Sequence, residues 1–105
     1  MVSIKTKYAI AVITKMAIEK EELFSIKHLA ETCDVPKKYL EQILNALRKA
    51  GIVKSIRGIQ GGYQLNKQLS DITVYDIAFC LENSLLFSDG YAGTESLQSF
   101  WVSID

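Results

Sequence analysis

The sequence predicts a mainly α-helical fold with one small β-hairpin, a winged helix-turn-helix, and three observations predict it. Two amphipathic stretches meet across a short break. Ile26, Leu29, Ala30 and Cys33 stand at i, i+3, i+4 and i+7, and after Asp34-Val35-Pro36 the residues Leu40, Ile43, Leu44 and Leu47 make a second apolar stripe at helical spacing. Next, Ile52 to Arg57 mix β-branched and basic residues, and Gly58-Ile59-Gln60-Gly61-Gly62 joins them to the alternating Tyr63-Gln64-Leu65, as in two short strands linked at glycines. Finally, Lys37, Lys38, Glu41, Gln42, Asn45, Arg48 and Lys49 occupy the other side of the second helix, which makes it the basic member of a helix-turn-helix pair.

In chain order, residues 1–20 read as a helix. Ile4, Tyr8, Ala9, Val12, Ile13, Met16 and Ala17 share a broad apolar side, with Ser3 or Thr6 available as a cap. Ile10, Ala11 and Ile18 widen that arc beyond one core contact, so part of it is assigned to a second subunit or a later helix, with Tyr8 and Val12 as pairing residues. Ser25 opens the next helix, where Cys33 falls on the core stripe as a small packing residue and His28 lies off it, facing solvent or a phosphate. Asp34 is positioned to cap the basic helix, Pro36 suits its first turn, and Gly51 supplies a left-handed stop. The hairpin glycines permit positive φ angles. Their rival reading, a phosphate-cradling nucleotide loop, should open into a helix, whereas this one opens into strand-like alternation.

Beyond the hairpin, Thr73 with Asp76 resembles a capping box for a fourth helix, whose apolar side is Val74, Ile77, Ala78 and Leu81 and which Asn83 and Ser84 end. A last short helix carries Leu97, Phe100, Trp101 and Ile104. So aromatic a helix has little to bury itself against in one small subunit, so a partner chain is its expected home. The division read from the chain is a winged helix-turn-helix over residues 1–83 and a loop with a short pairing helix over 84–105.

Net charge is formally zero but unevenly laid out. Residues 1–67 hold twelve Lys and Arg against six Asp and Glu, a balance of +6, and residues 68–105 hold no cation and six acids, a balance of −6. Within residues 36–58, Lys37, Lys38, Arg48, Lys49, Lys54 and Arg57 oppose Glu41 alone, which gives +5. A basic front and acidic rear suit a protein that presents one side to a polyanion. Cys33 and Cys80 make no disulfide framework, no apolar run is long enough to span a bilayer, and no secretory signal is visible, so a cytoplasmic location without membrane contact is expected. No carboxylate pair, metal-ligand cluster or activated nucleophile can be assembled, and an enzyme is not expected.

These motifs resemble the Rrf-two family of bacterial winged-helix transcriptional regulators, of the IscR, NsrR and CymR type. The resemblance rests on Thr6-Lys7-Tyr8-Ala9, on Ser25-Ile26-Lys27, on the run from Val35 to Leu44 and on Leu47-Arg48-Lys49-Ala50-Gly51-Ile52-Val53. Ser55-Ile56-Arg57-Gly58, Gly61-Gly62-Tyr63 and Ile72-Thr73-Val74-Tyr75-Asp76-Ile77 complete it. It implies a DNA-binding regulator, usually a homodimer on a palindromic operator. Lys38, Tyr39, Glu41 and Gln42 match the family's reading helix, Glu41 matches a position that discriminates operator classes, and Arg57 matches the wing arginine. The candidate interface with double-stranded DNA is therefore Ser25, Lys37, Lys38, Tyr39, Glu41, Gln42, Asn45, Arg48, Lys54, Arg57, Gly58, Gly61, Gly62 and Tyr63. Tyr8, Val12, Leu97, Phe100 and Trp101 are the candidate dimer contacts. Cluster-binding relatives carry three closely spaced cysteines after the fourth helix. Residues 82–100 contain none here, so no metal and no other cofactor is expected. The family's long dimerisation helix is only begun by Leu97-Gln98-Ser99-Phe100-Trp101, so pairing is expected to use a shortened helix with the first helix, or to be weakened. A regulatory effector or partner protein is not identified by any motif. The alternative reading is a winged helix that binds another protein through the acidic rear or the terminal aromatics.

Overall fold

A computed structural model describes residues 3–19 and 21–82. Four helices and one hairpin follow in the order α1 (Ile4–Glu19), α2 (Ile26–Cys33), α3 (Lys37–Lys49), β1 (Val53–Ile56), β2 (Gly62–Leu65), a 3₁₀ turn (Leu69–Asp71) and α4 (Val74–Leu81). The assigned end of the fourth helix at Asn83 and Ser84, and the terminal helix with Leu97, Phe100, Trp101 and Ile104, lie outside the described residues.

The predicted stripes form the core. Leu40, Ile43, Leu44 and Leu47 of α3 are buried, as are Leu29 of α2, Val53 of β1, Val74, Ile77 and Ala78 of α4, and Phe24, Val35, Ile52 and Ile72 from the connections. α1 runs through the middle and packs on α2, α3, α4 and β2. That placement accounts for much of its wide apolar arc: Ala9, Ile10, Val12, Ile13 and Met16 are all buried within the one subunit, whereas Ile4 and Ile18 of the same arc stay exposed. Val12, expected to face a second copy, is 0% exposed and so has no surface to offer one.

Helix ends follow local rules. The Ser3 hydroxyl accepts from the Thr6 N–H at 3.2 Å, the Ser25 hydroxyl accepts from the His28 N–H at 3.0 Å, and Thr73 with Asp76 closes a full capping box. Thr73→Ala is expected to lower stability by about 1 kcal/mol, read as a lower midpoint in thermal unfolding. α3 stops as predicted at Gly51, with φ +79. The Gly51 N–H donates to the Arg48 carbonyl and the Ile52 N–H to the Leu47 carbonyl, and Ile52 and Leu47 are both buried, which makes a Schellman motif.

Asp34 departs from expectation. It does not cap α3 but terminates α2, in the left-handed region at φ 56. Asp tolerates that region better than most side chains, and the same residue type serves either purpose. Pro36 keeps Val35 out of helical geometry, so α3 begins only at Lys37, with Pro36 at its N-cap and no side-chain cap.

β1 and β2 are antiparallel, with Val53 opposite Leu65 and Ile56 opposite Gly62. Phe24 adds a one-residue bridge on the far edge of β2: its N–H donates to the Tyr63 carbonyl at 2.8 Å and its carbonyl accepts from the Tyr63 N–H at 2.9 Å. The segment that leads into α2 is thereby tied to the hairpin. Of the hairpin glycines only Gly58 has positive φ, at +123. Gly61 and Gly62 meet a different need, since a Cβ at Gly61 would stand 2.1 Å from the Ile56 carbonyl oxygen and one at Gly62 would stand 2.8 Å from that of Phe24.

Candidate nucleic-acid interface

The short link between α2 and α3 plugs itself into the core through Val35 and leaves the outer side of α3 in solvent. Lys37, Lys38, Glu41, Gln42, Asn45, Arg48 and Lys49 are all exposed. Arg48 donates to the Asn45 side-chain oxygen at 2.9 Å, one turn apart on the same face. The hairpin continues directly from the end of α3, and β1 packs against that helix. Lys54, Arg57 and Gly58 are exposed along it. Among the described residues the ion pairs are Lys15 with Glu19 and His28 with Glu19, so no cation of α3 or of the hairpin is neutralised by a carboxylate.

The first turn of α3 contains Lys37 and Lys38 and no acid, and its N-cap side chain satisfies no N–H. Helix N-termini carry partial positive charge and favour anions. Two lysines there act against the helix, and such a local conflict marks a position kept for something other than folding. An external polyanion would resolve it, because the unsatisfied N–H groups and both ammonium groups all attract phosphate.

Other candidates are placed less directly. The Tyr39 ring lies against Tyr8 of α1, with centroids 6.0 Å apart, and keeps 37% of its surface exposed. Tyr8 thus supports the start of α3 from within the same chain. Tyr63 is half-buried and packs against the core, while Gly61 and Gly62 are partly buried where backbones approach closely, so these three shape the wing rather than line its outer surface. Ser25 is exposed at the start of α2.

His28 is not simply solvated. Its Nε2 lies 2.8 Å from the Glu19 carboxylate, and Lys15 reaches the same carboxylate at 3.1 Å, so α1 and α2 share a small charge cluster. The contacts with His28 first, then Lys15, hold the Glu19 carboxyl below its ordinary range. A carboxyl with a lowered pKa contributes stability above its unfolded value and loses it as pH falls through the folded one. Glu19→Gln is therefore expected to flatten the acid side of the stability profile, measured by urea unfolding between neutral pH and pH near 3. A second long-range contact ties the fold together at the opposite end. The buried Thr6 hydroxyl donates to the Glu82 carboxylate, which also accepts from the Ser3 N–H at 3.4 Å, so an acid after α4 sits on the N-terminus of α1.

The thiols do not read as ready nucleophiles. Burial pushes Cys33 up, and pushes Cys80 up to about 11. Among the described residues no group of three His, Cys, Asp or Glu could hold a metal ion, and no helix is long and apolar enough to cross a membrane.

A helix-turn-helix whose second helix is basic and outward-facing, followed at once by a two-stranded wing, defines a winged helix-turn-helix protein of the DNA-binding class. The Rrf2 family model, described as an iron-dependent transcriptional regulator, matches residues 2–99, and the chain belongs to this family. It is 39% identical over 85 residues to the HTH-type transcriptional regulator CymR of Bacillus subtilis, covering 80% of this chain and 62% of that relative. The solved structure of CymR, the global cysteine regulator of B. subtilis, superposes with a TM-score of 0.73 at 33% identity, over 97% of this chain and 81% of that one. The T. potens IscR structure gives 0.71 at 41% identity, over 97% and 72%. The chain thus spans about six-tenths of the curated CymR sequence and somewhat more of the solved structures. These relatives are named for the regulation of transcription, and the chain shares their family and fold.

Proposed function

We propose that this chain is a sequence-specific regulator, acting as a repressor, that binds a palindromic operator as a homodimer in the cytoplasm. α3 lies in the major groove and the wing rests on the adjacent minor groove. The observation that carries this reading is the pair of lysines in the first turn of an uncapped helix, on a face whose cations lack carboxylate partners among the described residues. Lys37, Lys38, Arg48 and Lys54 take phosphates, as does the start of α2 at Ser25. Glu41 accepts from a cytosine amino group, and Gln42 and Asn45 offer amides to adenine. Arg57 enters the minor groove, and Gly58 lets the chain turn there. Dimer contacts fall to Leu97, Phe100 and Trp101 in the segment 84–105, beyond the winged domain.

The regulator is of the cluster-free kind. An iron–sulfur cluster needs a set of thiolates. This chain has two cysteines, on α2 and α4, both with thiols raised by burial, and its one histidine is engaged with Glu19. The donors present do not fit such a group.

Sequencing the genomic fragments retained by the purified protein tests the proposal. An inverted repeat whose half-sites lie about one helical turn apart, or a multiple of it, is expected for a symmetric dimer. Fragments without a common motif, or a motif without symmetry, would contradict it.

A further inference from the structure

Ile59 stands at the tip of the wing, fully exposed, and is the most exposed large apolar residue among those described. Its neighbours are Arg57, Gly58 and Gln60, all in solvent, and the turn behind it is closed by the Gly61 N–H donating to the Gly58 carbonyl at 3.0 Å. Among the described residues none covers the side chain. A β-branched residue is also a poor choice for a solvent turn, where Asn, Asp, Ser or Gly would serve the backbone better. The tip is nevertheless firmly held from below, since Gly61 fits tightly under the Ile56 carbonyl and β2 is bridged to Phe24 on its other edge. An apolar knob is thus carried two residues from a guanidinium, at the tip of a wing whose other exposed large apolar side chain is Ile56, at the base of the same turn.

We propose that Ile59 is an apolar minor-groove contact that presses against sugar edges and a base step beside the Arg57 site, and so reads how easily that step deforms. This rests on the DNA-binding reading above. Apolar side chains inserted at the minor groove partly unstack a base step, and pyrimidine–purine steps yield most readily. The residue would then add sequence preference at positions flanking those read by α3, without adding a phosphate contact.

The test uses the full chain and duplexes selected from a random-sequence pool, with Ile59→Ala, Ile59→Met and Ile59→Lys selected in parallel. On the wild-type consensus duplex, Ile59→Ala should bind roughly tenfold more weakly, as expected for lost apolar burial. Its salt dependence should be unchanged, because no cation is lost. Its selected sequences should lose their preference at the flanking step and keep the positions read by α3. Ile59→Met should recover most of the affinity. Ile59→Lys should steepen the salt dependence without restoring the flanking preference. An alanine variant with affinity within about twofold of wild type and the same sequence profile would overturn the proposal, and would point to a protein partner for the knob. If wild type selects no sequence while the variants behave alike, the regulator reading fails with it. A wild type that selects a motif indifferent to Ile59 leaves that reading standing and removes only this one.

Discussion

Replacing Lys37 and Lys38 together by glutamate is expected to make the protein slightly more stable and to abolish tight binding to DNA. The two effects have one cause. The first turn of α3 exposes N–H groups that no cap satisfies and adds two cations to the positive end of the helix. Acids in those positions would face the dipole favourably, each contributing about 0.3–1 kcal/mol. Both side chains are exposed and unpaired with any carboxylate among the described residues, so no packing is lost in the exchange. On a duplex the same change removes two phosphate contacts and sets two negative charges against the backbone. Each lost contact costs affinity and lowers the salt slope by about one, so the combined loss should exceed a hundredfold, or about 3 kcal/mol. Chemical denaturation and fluorescence anisotropy on one DNA probe measure the two sides. A variant both less stable and equally able to bind would contradict the account of α3.

Leu47→Ala is expected to act in the opposite sense, on folding first. Leu47 is fully buried, belongs to the stripe that seats α3 on the core, and meets Ile52 where the helix hands the chain to the wing. Truncating a buried leucine costs about 2–5 kcal/mol, because the lost transfer energy is joined by the cavity left behind. Single domains are stable by only about 5–15 kcal/mol, so this is a large share. The Schellman contact should loosen with it, which detaches the geometry of the wing from that of α3. Urea unfolding should show a much lower midpoint, and DNA affinity should fall with the folded fraction. A loss below about 1 kcal/mol would mean that the site collapses around the missing side chain, and that the seat of α3 is less closely packed than its burial implies.

Much of this could be read in the residues because the signals are periodic or local. The stripe of Leu40, Ile43, Leu44 and Leu47, the stop at Gly51 and the capping box of Thr73 with Asp76 each fall within one or two helical turns. The charge layout was equally open to reading, and with it the exposed face of α3. What escaped was long-range. Gly62 is needed because Phe24 passes close by, thirty-eight positions earlier in the chain, and no local pattern announces that. The contact of His28 with Glu19 likewise joins two helices, and that of Thr6 with Glu82 joins α1 to the end of α4. Val12 was misplaced because a wide apolar arc looks the same whether a second subunit or three helices of the same chain cover it. Asp34 was misplaced by one helix, since a helix end and a helix start stand three residues apart there and both favour Asp. Lys37 and Lys38 could be named as cations from the sequence, but that they crowd an uncapped helix start followed from the boundary Pro36 imposes.

Binding of duplex DNA by α3 and the wing together, through cations that no carboxylate neutralises among the described residues, is what the proposed function requires. Its most direct test is the equilibrium Kd of the full chain on a selected duplex, measured across a series of salt concentrations for wild type and for Arg57→Ala. Tight binding at low salt is expected to fall steeply and log-linearly as salt rises, with Arg57→Ala weaker by about 1–3 kcal/mol at every concentration. A Kd indifferent to salt, or one that Arg57→Ala leaves unchanged, would contradict it.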